Sequence, residues 1–441
     1  MFNYRGKMIL KNITVGNFKN IAVTTLDLSK ITALVSVNNY GKSNLLEAIR
    51  FGFDFLASSP KNRTRLMSSL NNIPMIPSLM GKNYVFSVEF DAPYLKDYRH
   101  VRYSFEFVWQ NDQKTGAVIV GESIEINRSP DSKKYTSYLK RSESKFRPGK
   151  SSTNFRNILL PSNCLAIDIL SSYDDIEITD VVKTIQNLHS TFCGSLELSG
   201  SYSAFPIQFD TDEQFNFFDD QDIPKTLNYL KNKDPERYQQ FLDSVYQLFP
   251  EFEKIELRTY VYLSNNPSDF PTSDNNDSHQ NLPIHIKDEL YKIFIKSQYL
   301  NQPISIENMS TGTKRIIWLL IISIFGADHG VNLIEVEEIE TSIHPKMIRL
   351  LLESINDLLN NSTMILSSHS PYLIQYLKPD AIYIGVPNDK GIAQFKRIRR
   401  NKVKDILRIS NGLGLSVGEY IFELLSGDED SAFILNQYLE N

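Results

Sequence analysis

The sequence predicts an α/β fold, a mixed sheet with flanking helices built from both ends of the chain and interrupted by a large α+β insertion. Three observations carry this expectation. A short apolar strand, an Asn-rich turn holding Gly41-Lys42-Ser43 and an amphipathic helix follow one another over Ile31 to Phe55. Strand and helix patterns alternate again after Pro303. Between these two regions the chain has a different character, with alternating strands, polar loops and blocks of like charge.

Each element follows from its pattern. Ile9 to Phe18 reads as a first strand and Ile21 to Leu28 as its antiparallel neighbour. Ile31 to Val37 is a short apolar run, and Ser43 to Phe55 then places Leu45, Leu46, Ile49 and Phe53 on one helical face. In the middle, Tyr84 to Phe90, Arg102 to Val108 and Gly116 to Ile126 alternate as strands, while Asp175 to Phe192 and Pro224 to Phe249 read as helices. Arg128 to Arg156 is polar and basic, and Asp210 to Asp222 is acidic. Ser264 to Pro283 is a loop by composition, expected to join Lys254 to Leu263 and Ile284 to Ile295 as a long hairpin connection. Thr311 to Phe325 reads as a helix, Asn332 to Val336 as a strand, Pro345 to Asn360 as a helix with proline at its first position, and Thr363 to Ser367 as a strand. The expected division is 1–60 with 300–390 as the core and 61–299 as an insertion, part core sheet and part interaction region. Residues 391–441 are the tail.

Composition sets limits. With 441 residues, 41% hydrophobic and 22% charged, the chain has the make-up of a soluble globular protein, and its 26 Phe and 22 Tyr allow a substantial core. A net charge of −5 argues against wholesale nucleic-acid or membrane binding and leaves local patches open. The two cysteines, Cys164 and Cys193, have no metal-ligand spacing and suit a reducing compartment. The longest apolar stretch, Ile316 to Phe325, is about half the roughly 20 residues that cross a bilayer. Met1 to Lys7 lacks the apolar core of a signal peptide. A cytoplasmic protein without a membrane partner is expected.

Four segments carry the chemistry. Ser36-Val37-Asn38-Asn39-Tyr40-Gly41-Lys42-Ser43 has P-loop spacing, with Ser36 where the first glycine is usual. Backbone N–H groups of such a loop and of the following helix cradle phosphate oxygens. Lys42 would reach the β- and γ-phosphates, and the Ser43 hydroxyl would bind Mg²⁺. Ser310-Thr311-Gly312-Thr313-Lys314-Arg315 opens the apolar helix, and by itself also reads as an N-cap. Leu333 to Pro345 is a buried strand ending in Glu337, Glu338 and Glu340, followed by His344-Pro345. Such carboxylates suit a metal ion (Glu337) and an attacking water (Glu338). Finally, Ser367-Ser368-His369-Ser370-Pro371 places His369 just past a strand, where it could hydrogen-bond a γ-phosphate.

In this order the segments resemble the ABC-type ATPases grouped with RecF, the SMC proteins and the OLD family, through GKSN-LLEAI, SxGxxR, EExE-xxxHP and SSHSP. The likeness is specific over residues 8–60 and about 300–380. It implies ATP and Mg²⁺ as cofactors, with Asn38, Asn39, Gly41, Lys42, Ser43 and Asn44 at the nucleotide and Ser43 and Glu337 at the metal. Glu338 and His369 would be catalytic. Ser310 and Gly312 would be the signature presented to a second copy, with Ser342 to Pro345 facing the partner subunit. The resemblance thus implies a homodimer or higher homo-oligomer through shared ATP sites. Three departures, Ser36 for glycine, Ile339 for proline and Glu337 for aspartate, allow slow turnover. Gln110 and Gln208 are candidates for the Q-loop glutamine.

The stretch after His369 is too short for the TOPRIM domain that OLD-type nucleases append. The chain is therefore similar to the standalone ATPase subunits of phage-defence pairs such as PARIS and Septu, which implies a sensor or regulatory subunit controlling a separate effector, such as a nuclease. A RecF-like repair ATPase clamping DNA and a nucleotide-gated scaffold with little turnover are the alternatives. Arg128 to Arg156 is the candidate nucleic-acid surface. In the tail, the basic run Lys390 to Arg408 precedes Tyr420, Phe422, Leu424 and Leu425, whose setting among acidic residues suits a partner contact.

Overall fold

The structure is a computed structural model describing residues 8–111, 113, 115–128, 134–149, 155–173, 175–193, 199–202, 207–209, 222–261, 284–286, 289–328, 331–386 and 391–440. The chain forms two compact units. The first comprises Met1–Ser195, Gly330–Glu340 and Leu359–Asn441, and the second Leu196–His329 and Thr341–Leu358.

In the first unit, one six-stranded sheet has the order Ser190–Cys193, Leu333–Val336, Thr363–Ser368, Ile31–Ser36, Ile382–Gly385, Phe395–Arg397. All neighbours are parallel except the last pair. Its four central strands are buried at every position, as expected of parallel strands covered on both faces. Because Ile31–Ser36, Leu333–Val336 and Thr363–Ser368 run the same way, the residues that follow each of them emerge at one edge. That carboxyl edge is where open α/β sheets bind ligands.

An eight-stranded antiparallel sheet completes this unit, in the order Thr24–Asp27, Ile9–Gly16, Tyr84–Asp91, His100–Val108, Val118–Asn127, Thr136–Lys140, Lys145–Phe146, Arg156–Asn157. The helix Lys42–Ala57 packs on it with more than the single face read from the sequence. Phe51, Gly52 and Phe55 are buried as well as Leu45, Leu46, Ile49 and Phe53. Phe55 stacks on Phe105 and Phe107 at 4.9 Å. A Cβ on Gly52 would lie 1.9 Å from the Phe86 ring. Part of the aromatic content of the sequence is used here.

Several elements differ from the sequence reading. Within Asp175 to Phe192 only Thr179–Gln186 is helical, and Ser190–Cys193 is the edge strand pairing with Leu333–Val336. Four residues are too few to show a period of two against a preceding helix, so tertiary pairing decides. Pro224 to Phe249 is two helices, Ile223–Lys233 and Pro235–Leu248. Pro235 has no N–H to continue the first, and the Asp234 side chain caps the second by accepting from Arg237 N. The basic segment is not a plain loop, since Thr136–Lys140, Lys145–Phe146 and Arg156–Asn157 extend the antiparallel sheet.

The second unit holds Thr311–Asp328, Pro345–Leu358 and the two helices just described, with a sheet of Phe252–Val261, Glu289–Ser297 and Ile304–Ser305. The expected hairpin is therefore present as Phe252–Val261 against Glu289–Ser297. Its loop, Ser264 to Pro283, and the acidic stretch up to residue 221 lie outside the described residues. No described helix is long and apolar enough to cross a membrane.

The tail forms three helices, Val403–Leu413, Val417–Ser426 and Glu429–Tyr438. Tyr420, Leu424 and Leu425 are buried within it, so they are not the exposed anchors of a partner contact. Gly418 explains the tight docking: a Cβ there would lie 1.9 Å from the carbonyl oxygen of Pro371.

Candidate functional site

The loop between Ile31–Ser36 and Lys42–Ala57 turns through Asn39, with φ 58°, and Gly41, with φ 127°. At Gly41 a Cβ would also lie 2.7 Å from that of Ala393. Glycine is required there, whereas Ser36 keeps an ordinary negative φ and does not crowd the loop. Its hydroxyl donates to the carbonyl of Val37 at 3.0 Å and accepts from Lys42 Nζ at 3.2 Å. Lys42 is buried and also donates to the carbonyls of Ser36 (2.9 Å) and Val37 (3.0 Å). The serine that replaces glycine therefore helps to hold the lysine.

Asn38 and Asn39 are exposed on the open side of the loop. Asn44 instead turns to the opposite side, where its amide donates to Asn20 Oδ1 at 2.8 Å, and Asn20 donates to the carbonyl of Tyr40 at 3.2 Å. The Tyr40 hydroxyl in turn donates to the carbonyl of Ile392 and accepts from Gln394 N. Asn20 and Tyr40 are thus supports that the motif reading did not single out, and their roles are set by residues some 350 positions away.

The carboxylates arrive on the neighbouring strand. Ser43 Oγ donates to Glu337 Oε1 in direct contact. Glu338 adopts φ 47°, and its N–H donates to Ser367 Oγ at 3.1 Å. Ile339 N donates to the carbonyl of Ser367 at 3.4 Å, a bond that proline at this position could not make. Glu340 Oε1 accepts from His369 N at 2.6 Å, while Glu340 Oε2 is buried without a partner. His369 stands between the two groups of residues, with Nδ1 3.3 Å from Lys42 Nζ and Nε2 3.8 Å from Glu338 Oε1.

Burial lowers Lys42 to about 8, against the opposing pull of Glu338, Glu340 and Glu337. Burial, and then the Lys42 charge, hold His369 below its ordinary value, so near neutral pH its imidazole is uncharged. The Lys42 ammonium can only donate, which makes Nδ1 the acceptor and leaves the ring proton on Nε2, facing Glu338.

Ser310 and Gly312 belong to the second unit. Ser310 Oγ accepts from Thr313 N at 3.1 Å, capping the helix Thr311–Asp328. A Cβ on Gly312 would lie 2.2 Å from the carbonyl oxygen of Ser342, which itself has φ 63°. The helix start thus fits closely on the residues before Pro345. Of the Q-loop candidates, Gln110 N donates to the carbonyl of Met67, and the side chain of Gln208 lies outside the described residues.

The arrangement fits a polyphosphate with a hard cation. It offers an ammonium held at a loop, a hydroxyl touching the Glu337 carboxylate, and the carboxylates of Glu338 and Glu340, of which Glu340 keeps one buried oxygen with an unmet lone pair. Hydroxyl and carboxylate oxygens are the donors that Mg²⁺ selects.

A protein-family model described as "AAA domain, putative AbiEii toxin, Type IV TA system" matches residues 31–375. No curated protein matches the sequence. Among solved structures, an Smc head bound to the C-terminal winged-helix domain of ScpA aligns over 89% of this chain and 99% of its own, at 14% identity and a TM-score of 0.49. The SMC head domain of Thermotoga maritima aligns over 89% and 99%, at 12% identity and a TM-score of 0.43. The Smc head of Pyrococcus furiosus, with an extended coiled coil and bound to the C-terminal domain of ScpA, aligns over 92% and 100%, at 12% identity and a TM-score of 0.46.

Proposed function

The chain belongs to this AAA-domain family, and on that premise we propose that it is an ABC-type ATPase that binds ATP with Mg²⁺ and hydrolyses it. The observation that carries the proposal is the meeting of Lys42, Ser43, Glu337, Glu338 and His369 at the carboxyl edge of three parallel strands.

Lys42 supplies positive charge to the β- and γ-phosphates. Asn38, Asn39 and Gly41 bring the loop backbone around them, and Asn44 braces that loop from behind. Ser43 and Glu337 would hold Mg²⁺, which when bound neutralises phosphate charge. Glu338 orients the attacking water and takes its proton. The neutral His369 would give its single Nε2 proton to a γ-phosphate oxygen, beside Glu338. Ser310 and Gly312 of a second copy complete the site, so that two chains share their nucleotides. Binding of labelled ATP and release of phosphate by the purified chain test this reading. Failure to bind ATP in the presence of Mg²⁺ would remove it.

At a finer level, we propose that turnover controls a separate effector in bacterial antiphage defence. The family description names a toxin of a toxin–antitoxin system, which supports a two-component arrangement. Co-purification from the native host with wild type and with Glu338→Gln tests this. If nothing accompanies either protein, a RecF-like repair role takes precedence.

A further inference from the structure

The basic segment contains arginines of two kinds. Arg141, one of its most central charges, is buried, donating to Glu122 and to the carbonyls of Ile119, Pro161 and Cys164. Around it Arg99 pairs with Asp91, Arg102 with Glu89 and Glu125, and Arg156 with Asp175. These cations are neutralised within the chain and offer nothing to a partner.

Arg128 and Arg147 differ. Neither has a carboxylate within ion-pairing distance among the described residues, yet both converge on one buried ring. The Arg128 Cζ lies 5.6 Å from the Tyr138 ring and 5.9 Å from that of Tyr98, and its Nη2 donates to the Tyr138 hydroxyl. Arg147 Cζ lies 5.8 Å from the same Tyr138 ring and 5.2 Å from Phe155, and its Nε is buried without an acceptor. Two guanidiniums gathered on one ring repel each other, and a buried N–H without a partner is unfavourable. The aromatic faces offset part of this and fix the planes of both forks. An anion bridging the forks would relieve the rest. Lys145, exposed on the adjoining strand, adds a third positive charge.

We propose that Arg128 and Arg147 form an anion site that takes the phosphodiester backbone of a nucleic acid, with Lys145 continuing the track. Bidentate guanidinium forks match phosphate geometry. A backbone, rather than one small anion, fits three separate cations, with Lys145 level with Ser123 and Arg128 just past Asn127 on the strand Val118–Asn127. This inference does not depend on hydrolysis at the nucleotide site.

The test is fluorescence anisotropy of the full chain with a labelled 30-nucleotide single strand and the matching duplex, across a salt series without nucleotide. Arg128→Gln/Arg147→Gln is compared with Lys140→Gln/Glu143→Gln, a pair neutralised on the surface. Each neutralised phosphate contributes roughly 0.7 to 0.9 to the salt slope. The arginine variant should therefore bind at least tenfold more weakly at low salt, with a slope reduced by about 1.4 to 1.8, while the control pair binds like wild type. Retained ATP binding shows that the variant is folded. An unchanged slope would overturn the proposal, as would complete displacement of the probe by low-millimolar inorganic phosphate, which would mark a small-anion site instead.

Discussion

Lys42 Nζ lies 3.3 Å from His369 Nδ1, joining residues 327 positions apart. The contact exists because Ile31–Ser36 and Thr363–Ser368 are adjacent parallel strands, with Val35 beside Ser368. It also fixes the histidine tautomer, since an ammonium can only donate. The candidate phosphate-holding and phosphate-sensing groups are therefore already in contact.

Asn44 supports the loop from behind, which separates bracing from ligand contact. Asn44→Ala removes one hydrogen bond to Asn20. Such a bond is worth about 1 kcal/mol, so ATP affinity should weaken about five- to tenfold by calorimetry. An unchanged affinity would show that the Asn44–Asn20–Tyr40 chain does not brace the loop, and a loss of several hundredfold would place Asn44 at the ligand itself.

Glu122 makes stability depend on pH. Burial pushes its carboxyl up to about 7 from 4.5, against the lowering effect of Ala166 N–H, Arg141, Ile167 N–H and Tyr103. The folded chain thus takes up a proton between these values, and the contribution to stability, full below 4.5, is lost as pH rises through 7. Between pH 5 and 7.5 that loss is about 2 kcal/mol. Denaturant unfolding followed by Trp109 fluorescence in a Trp318→Phe background measures it. Glu122→Gln, which does not titrate, should flatten the pH dependence by that amount, and equal slopes in the two proteins would refute the assignment.

The proposed sharing of sites predicts concentration dependence. Phosphate release per chain should rise with protein concentration, and Ser310→Arg should inhibit wild type in mixtures more than dilution alone would. A constant rate per chain down to concentrations where the protein is monomeric would rule out a site completed by Ser310 and Gly312 of a second copy.

Much of the site was legible because its chemistry sits in contiguous motifs. Glu337-Glu338 and His369 directly follow an apolar strand, Gly41-Lys42-Ser43 follows one after a four-residue turn, and parallel pairing brings the strand ends together. The supports were not legible. Nothing local marks Asn20 or Tyr40, whose partners lie in residues 391–394 and on the P-loop helix. Which charges of the basic segment are free was not legible for the same reason. Charge was visible, but Arg141 meets Glu122 only because the strand that ends at Lys140, just before it, pairs antiparallel with Val118–Asn127. The break at Asp234-Pro235 was readable in principle, since an Asp-Pro pair both ends one helix and caps the next. By contrast, Ser190–Cys193 takes its strand character from Leu333–Val336 and carries no such mark.

The most direct test of the nucleotide site compares wild type, Lys42→Ala and Glu338→Gln for ATP binding by calorimetry and for phosphate release, with Mg²⁺ present. Lys42→Ala should lose binding, because the ammonium held by Ser36 and Val37 is gone. Glu338→Gln should bind ATP within a few-fold of wild type and release phosphate at least a hundredfold more slowly, since only the group facing His369 Nε2 is changed. Wild-type affinity in Lys42→Ala, or wild-type turnover in Glu338→Gln, would contradict the account.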